Sequence, residues 1–261
     1  MALTNKTIAS TYGDILQVEN SGSGRTASGT AIKDGLGQST ALTLGQNKAQ
    51  VKPSSDSGDA FLVEASDGTN LLTVDTTNSA VKSGTTQSYV NTQIKEFGVF
   101  DISPSAGAHY PMVSMNSLGG GTLSTTLALP SFGTGTDPAT TYTFSGGAEH
   151  VVPCYWYIPT AITLDEIRVI ASADGATTLN FHLFSYDMAT GTGSGAGDLS
   201  SGTLLAHNGS ALTAGDDRIT STTLTVDSAD VVADKVILAL VENIGGTDDV
   251  TAQLIVKYHY Q

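Results

Sequence analysis

Large apolar residues are thinly spread over the first third of the chain and fall into two matching patterns. AIKDGLGQSTALTLGQNKAQVK (residues 31–52) and LVEASDGTNLLTVDTTNSAVK (residues 62–82) share one plan: an apolar strand, a Gly-containing turn, an alternating strand (ALTL, LLTV), a polar turn, and a closing Val-Lys. The copies lie about thirty residues apart, the signature of a repeat architecture. One copy is too small to bury its own apolar face, and an isolated hairpin is marginal in water. The pattern therefore predicts that identical neighbouring chains cover those faces.

Residues 86–97, TQSYVNTQIKEF, carry apolar side chains at Val90, Ile94 and Phe97, spaced i, i+4 and i+7. This spacing predicts a short helix with one sticky stripe, capped by Thr86 or Ser88. Three such stripes around an axis would make a trimeric neck; the same helix could instead lie across the domain that follows. Three turns are too few for stability in isolation.

From residue 98 onward the density of large apolar residues rises. Strands are predicted at 123–129, 141–145, 151–158, 162–171, 178–186, 202–207, 221–226, 235–242 and 250–260. The last is the clearest, with Val250, Ala252, Leu254, Val256, Tyr258 and Tyr260 alternating with Thr251, Gln253, Ile255, Lys257 and His259. Turn clusters such as Ser172-Ala173-Asp174-Gly175 separate the strands, and 189–200 reads as a Gly-rich loop. Many short strands without βαβ alternation predict an all-β chain. Its C-terminal part is an antiparallel, jelly-roll-like sandwich, preceded by a β-hairpin repeat shaft and a short helix. The expected division is 1–52 as an attachment segment containing the first repeat, 53–85 as the second repeat, 86–97 as the neck, and 98–261 as the head.

Composition narrows the function. In 261 residues, 14% are charged and the net charge is −14, with no basic cluster, which argues against nucleic-acid binding. The acidity fits solubility and spacing among copies. A single cysteine, Cys154, excludes an intrachain disulfide and a C-x-x-C motif, and its neighbours Pro153 and Tyr155-Trp156-Tyr157 point to a buried thiol. No signal-peptide pattern opens the chain and no apolar run is long enough to span a bilayer, so the expected site of synthesis is a cytoplasm, without membrane insertion.

Catalytic signatures are sparse. G-x-S-x-G, G-x-x-x-x-G-K and G-x-G-x-x-G are all absent. His109, His150, His182, His207 and His259 stand singly, without zinc-ligand spacing. The acid pairs Asp216-Asp217 and Asp248-Asp249 could ligate calcium but match no EF-hand loop spacing, and read as solvated turn residues. No catalytic residue, metal or cofactor is assigned. Trp156 points opposite to Tyr155 and Tyr157 in a strand, so one side fills the core and the other is a subunit contact, plain surface or ligand platform. His182, Phe184 and Tyr186 pose the same choice, which makes these four residues candidates for ligand or subunit contact.

FLVEASDGTNLLTVDTTNSAVKSG followed by QSYVNTQI resembles fibre and appendage proteins of tailed bacteriophages. The opening ALTNKTIASTYGDILQVENSGSG, running into AIKDGLGQSTALTL, is similar to the start of marine-phage structural proteins, and the closing region from DPATTYTF to LIVKYHY more loosely resembles their C-terminal β-domains. The resemblance implies a homotrimer fixed to other virion proteins, in the capsid or the tail, by residues 1–52. It also implies a head displayed outward, with host surface polysaccharide as the ligand. It departs from long tail fibres in having two repeats. Capsid decoration, clamping neighbouring subunits without receptor binding, is the alternative; a glycan depolymerase finds no recognisable acid pair here.

Overall fold

The computed structural model describes residues 17–18, 27, 29–34, 36–114, 129–144, 150–215, 218–246 and 248–261. The chain divides into two compact units, Met1–Val90 and Asn91–Gln261. Both are built from antiparallel strands, and no α-helix occurs among the described residues.

The first unit holds two small sheets of the same design. β1 (Gln17–Val18), β2 (Thr30–Lys33), β3 (Ser39–Leu44) and β4 (Ala49–Val51) form one meander. β5 (Phe61–Glu64), β6 (Asn70–Asp75), β7 (Ala80–Ser83) and β8 (Ser88–Tyr89) form the other. The repeat read from the sequence extends to the turns. Asp34 N–H donates to the Gln38 carbonyl as Ala65 N–H does to that of Thr69, and Gly37 N–H returns to Asp34 O as Gly68 N–H returns to Ala65 O. Both glycines sit at φ +82°, a conformation that side chains with a Cβ adopt only at a cost. The apolar residues that recur at thirty positions in the sequence, such as Leu42 with Leu72 and Val51 with Val81, do not keep the same partners: Leu42 faces Val51, whereas Leu72 faces Ser83 and Val81 faces Val74.

The second unit is a β-sandwich. Its strands, in chain order, are β9 (Thr92–Ile102), β10 (His109–Pro111), β11 (Val113–Ser114), β12 (Trp156–Ile158), β13 (Ile162–Ala173), β14 (Thr177–Met188), β15 (Leu199–His207), β16 (Leu212–Ala214), β17 (Thr220–Thr223), β18 (Thr225–Val226), β19 (Asp230–Val231), β20 (Lys235–Asn243) and β21 (Val250–Tyr260). One sheet runs β11-β9-β21-β13-β17, with β19 also on β13. The other runs β10-β20-β14-β15-β18, with β12 on β20 and β16 on β14. Between them lies a core that includes Phe97, Ile167, Val169, Phe181, Leu183, Val241, Leu254 and Val256.

A second core covers the opposite face of the β20–β14 sheet, where Phe184, Tyr186, Leu238 and Leu240 meet Val113, Phe132, Val151 and Cys154. That sheet is therefore buried on both sides, and every residue of β20 after Lys235 is inaccessible. A strand covered on both faces reads as a continuous apolar run rather than an alternation, as KVILALVEN does.

The helical neck expected at 86–97 is not formed. Residues 92–102 are β9, paired from Thr92↔His259 to Phe97↔Leu254 along the chain's most regular strand. Strand geometry sends Ile94 and Phe97 to opposite faces. Phe97 is fully buried in the inter-sheet core, Ile94 is 55% exposed, and Val90 ends the first unit at 58% exposed, so the three make no common stripe. The predicted strands 162–171, 178–186, 202–207, 235–242 and 250–260 are present, most of them longer at one end or both. Of the predicted 151–158, only Trp156–Ile158 is extended, preceded by a 3-10 turn at Val152–Cys154. The predicted strand 123–129 and the attachment residues 1–16 lie outside the described residues, Leu129 excepted.

Candidate functional site

In the first unit, strand pairing lines up most of the large apolar residues of each sheet in rows on one face. Phe61↔Val74↔Val81 forms a row across β5, β6 and β7, flanked by Val63↔Leu72. The opposite face carries Leu62 and Leu71 together with an internally bonded polar group: Gln87 accepts from the Thr73 hydroxyl and donates through its amide to the Asn70 carbonyl, and Lys82 Nζ lies 3.1 Å from Asp75. In the first sheet, Leu42↔Val51 and Leu44↔Ala49 make the corresponding apolar rows. These faces stay open. Among the described residues of this unit no hydrophobic side chain is buried, and Leu42, Val51, Phe61, Val63 and Val81 are each about two-fifths exposed.

The second unit places the remaining sequence candidates inside rather than on a surface. Trp156 is half-buried at the end of the inter-sheet core, its ring 4.8 Å from Tyr258 and 6.2 Å from Phe97, so it plugs the sandwich. His182, Phe184 and Tyr186 share the outer face of β14, as the alternation predicts, but that face is covered and all three are inaccessible. The cover is the described part of residues 103–144. Tyr186 donates its hydroxyl to Ala139 O at 3.0 Å, Phe132 stacks on Tyr142 at 4.5 Å, and Tyr142 exchanges both backbone hydrogen bonds with Leu199. Gly202 permits the contact: a Cβ there would stand 2.7 Å from both Thr140 Cα and Tyr186 Cε1. The contact-residue reading of His182, Phe184 and Tyr186 therefore gives way to one of covered core, since a segment distant in sequence supplies the occupant.

Beneath this cover runs a row of imidazoles that the sequence shows only as scattered residues. His109 on β10 meets His182 on β14 edge to face, with ring centroids 5.0 Å apart, and His182 lies parallel to His207 on β15 at 6.5 Å. Burial, followed by the neighbouring His109 and His207, pulls the His182 pKa down to about 3, so the ring is neutral. The thiol of Cys154 is likewise withdrawn from water and pushed up to about 12, leaving a protonated and poorly nucleophilic sulfur. No group of three His, Cys, Asp or Glu gathers in metal-ligating geometry among the described residues.

An apolar groove of about 380 Å³ opens on the solvent face of the β9–β21–β13 sheet, floored by Gly98 and walled by Phe100, Ile170 and Ile219, with Thr251 and Gln253 alongside. Phe100 is 65% exposed and follows from a β-bulge, where Val250 pairs with Ile102 but Ala252 with Val99. Asp101 takes the extra residue at φ +52°, its N–H donating to Thr251 Oγ1. No protein-family model matches the chain, and no curated protein matches it.

Proposed function

We propose that the chain is a structural component of a tailed-phage virion: a short homotrimeric fibre or spike, attached through its N-terminal segment and displaying the C-terminal sandwich toward the host surface. One observation carries the assembly part of this reading, namely the absence of any buried hydrophobic side chain among the described residues of the first unit. At ~25 cal/mol per Å² of apolar surface withdrawn from water, two open apolar faces per chain are a standing drive toward association. Three copies facing inward would cover them, and the thirty-residue repeat would let the same contact recur along the axis. The second unit, with both of its cores closed, needs no partner to fold. The virion and the host-surface glycan rest on the likeness of residues 2–96 to phage appendage proteins. Avidity from several copies per particle would suit weak single sites.

Two measurements test the reading. Sedimentation of the full chain should give a trimer that dissociates on dilution, with amide protection over β5–β7 lost on dissociation; a monomer that keeps those amides protected at high dilution overturns it. Immunogold electron microscopy should place the protein on intact particles, and its absence there removes the virion assignment. Particles lacking it that adsorb normally but burst at lower temperature would assign it to capsid clamping instead.

A further inference from the structure

The imidazole row sits at the contact between the β20–β14 sheet and its cover, and it is incompletely satisfied. His109 Nε2 is 2.9 Å from the Gly135 carbonyl, so that nitrogen carries the hydrogen, while the Phe132 N–H donates to His109 O and the His109 N–H to Gly133 O. One residue thus holds three points of the cover. Its other ring nitrogen, Nδ1, is buried with no hydrogen-bond partner among the described residues, and the same is true of His182 Nδ1. Two unpaired nitrogens in adjoining buried rings are costly in a protein interior. For His182 the cost is relieved when the ring takes up a proton in contact with water.

We propose that this row is an acid-operated latch, in which protonation of His182, packed edge to face on His109, releases the cover formed by residues 129–144 and bares the apolar face of Phe184 and Tyr186. The charged groups around it set the direction. From the cover, Asp137 Oδ1 stands 3.6 Å from His182 Nε2, beyond a normal hydrogen bond and on a side chain more than half in water, so it compensates little for burial. From β20, Glu242 opposes His109 in register and spends Oε2 on Asn180 Nδ2. From the segment after β18, Asp227 holds His207 Nδ1 at 2.7 Å, fixing the far end of the row. In the closed state His182 resists protonation, whereas with the cover lifted it regains the ordinary value of 6.5. Below that value the open state binds one more proton than the closed one, so the open population rises about tenfold per pH unit until the closed form itself protonates. Among the described residues the inner core contains no histidine, and it stays shut.

The test is hydrogen exchange on the full chain, expressed as protection factors corrected for intrinsic rate. Between pH 6.5 and 4.5 protection at Phe132, Ala139 and Tyr142 should fall about fiftyfold, while Leu254 and Val256 keep theirs. Cover protection that does not change, or that falls together with the inner amides, overturns the proposal. In His182→Phe the pH dependence of the cover should vanish, and in His259→Asn, away from the row, it should persist; the reverse pattern also overturns it. Should His182→Phe fail to fold, proton NMR of the wild-type histidines decides: His182 must titrate in step with loss of cover protection. A ring titrating near its ordinary value under an intact cover ends the idea.

Discussion

The two units use the same raw material, short antiparallel strands with alternating side chains, and arrive at opposite outcomes. In the second, two sheets share one core, and the β20–β14 sheet carries another on its far side, so β14 is buried along most of its 12 residues, while β13, in the other sheet, is buried mainly on the face toward the shared core. In the first, strands of two to six residues make sheets whose apolar rows face outward. The difference lies in whether the chain supplies a second layer. A sheet needs something against its apolar face; the second unit folds a long intervening segment back as that layer, whereas the described residues of the first contain none. On the proposed reading, other copies would provide the cover that the first unit lacks.

The sharpest way to break this comparison is to cut a phenylalanine from each unit. Phe181 is fully buried between the sheets, and Phe181→Ala should cost about 3–5 kcal/mol in denaturant unfolding of the second unit. Phe61 is 42% exposed, and Phe61→Ala should leave the dissociated chain within about 0.5 kcal/mol while weakening self-association. Equal losses at high dilution would mean that the first unit holds a core of its own. The pH dependence of the second unit comes next. The His182 pKa is lowered on folding, so unfolded chains bind more protons between pH 6.5 and about 3. Stability therefore stands in full above 6.5 and declines below it, by roughly 3 kcal/mol at pH 4.5. Chemical denaturation at both pH values measures this, and His182→Phe should flatten the profile.

Gly202→Ala probes the second cover alone. The new methyl would meet Thr140 and the Tyr186 ring, and overpacking of this kind costs about 1–3 kcal/mol. The loss should appear with increased binding of an apolar dye, since the inter-sheet core is untouched; a loss without dye binding would show that the cover stays seated.

How far the sequence disclosed this architecture depended on whether a strand's partner was also evident. β21 was legible because Val250 through Tyr260 alternates without interruption and one face is solvated. The repeat of the first unit was legible because its turns recur at fixed spacing. β9 was misread as a helix because Val90, Ile94 and Phe97 satisfy the helical stripe and three apolar points over eight residues fit either period. What decides is the nine-position pairing with β21, a contact more than 150 residues away. The β14 face carrying His182, Phe184 and Tyr186 was identified correctly as a face. The strand is apolar on both sides, which marks double burial; the covering layer has no strand-like period of its own and left no comparable trace. The histidine row was hidden for the same reason, since register across β10, β14 and β15 exists only once the sheet has formed.

The smallest expected effect separates the units by their response to acid. In the first, Asp75 accepts hydrogen bonds from the Asn78 side-chain amide at 2.8 Å and the Asn78 N–H at 3.0 Å, with Lys82 Nζ at 3.1 Å. These bonds favour the carboxylate, those from Asn78 most strongly, and lower its pKa from 3.8 to about 2. A depressed carboxylate acts opposite to the neutral imidazole: its stabilisation is complete above 3.8 and disappears only as pH falls toward 2. Between pH 6.5 and 4.5 the β6–β7 turn should accordingly hold its protection while the cover of the second unit loosens. Carboxylate chemical shifts of Asp75, followed beside the amide protection of Asn78, would show this. Parallel loss in both units over that interval would mean that acid acts through overall charge rather than through the groups each unit has buried.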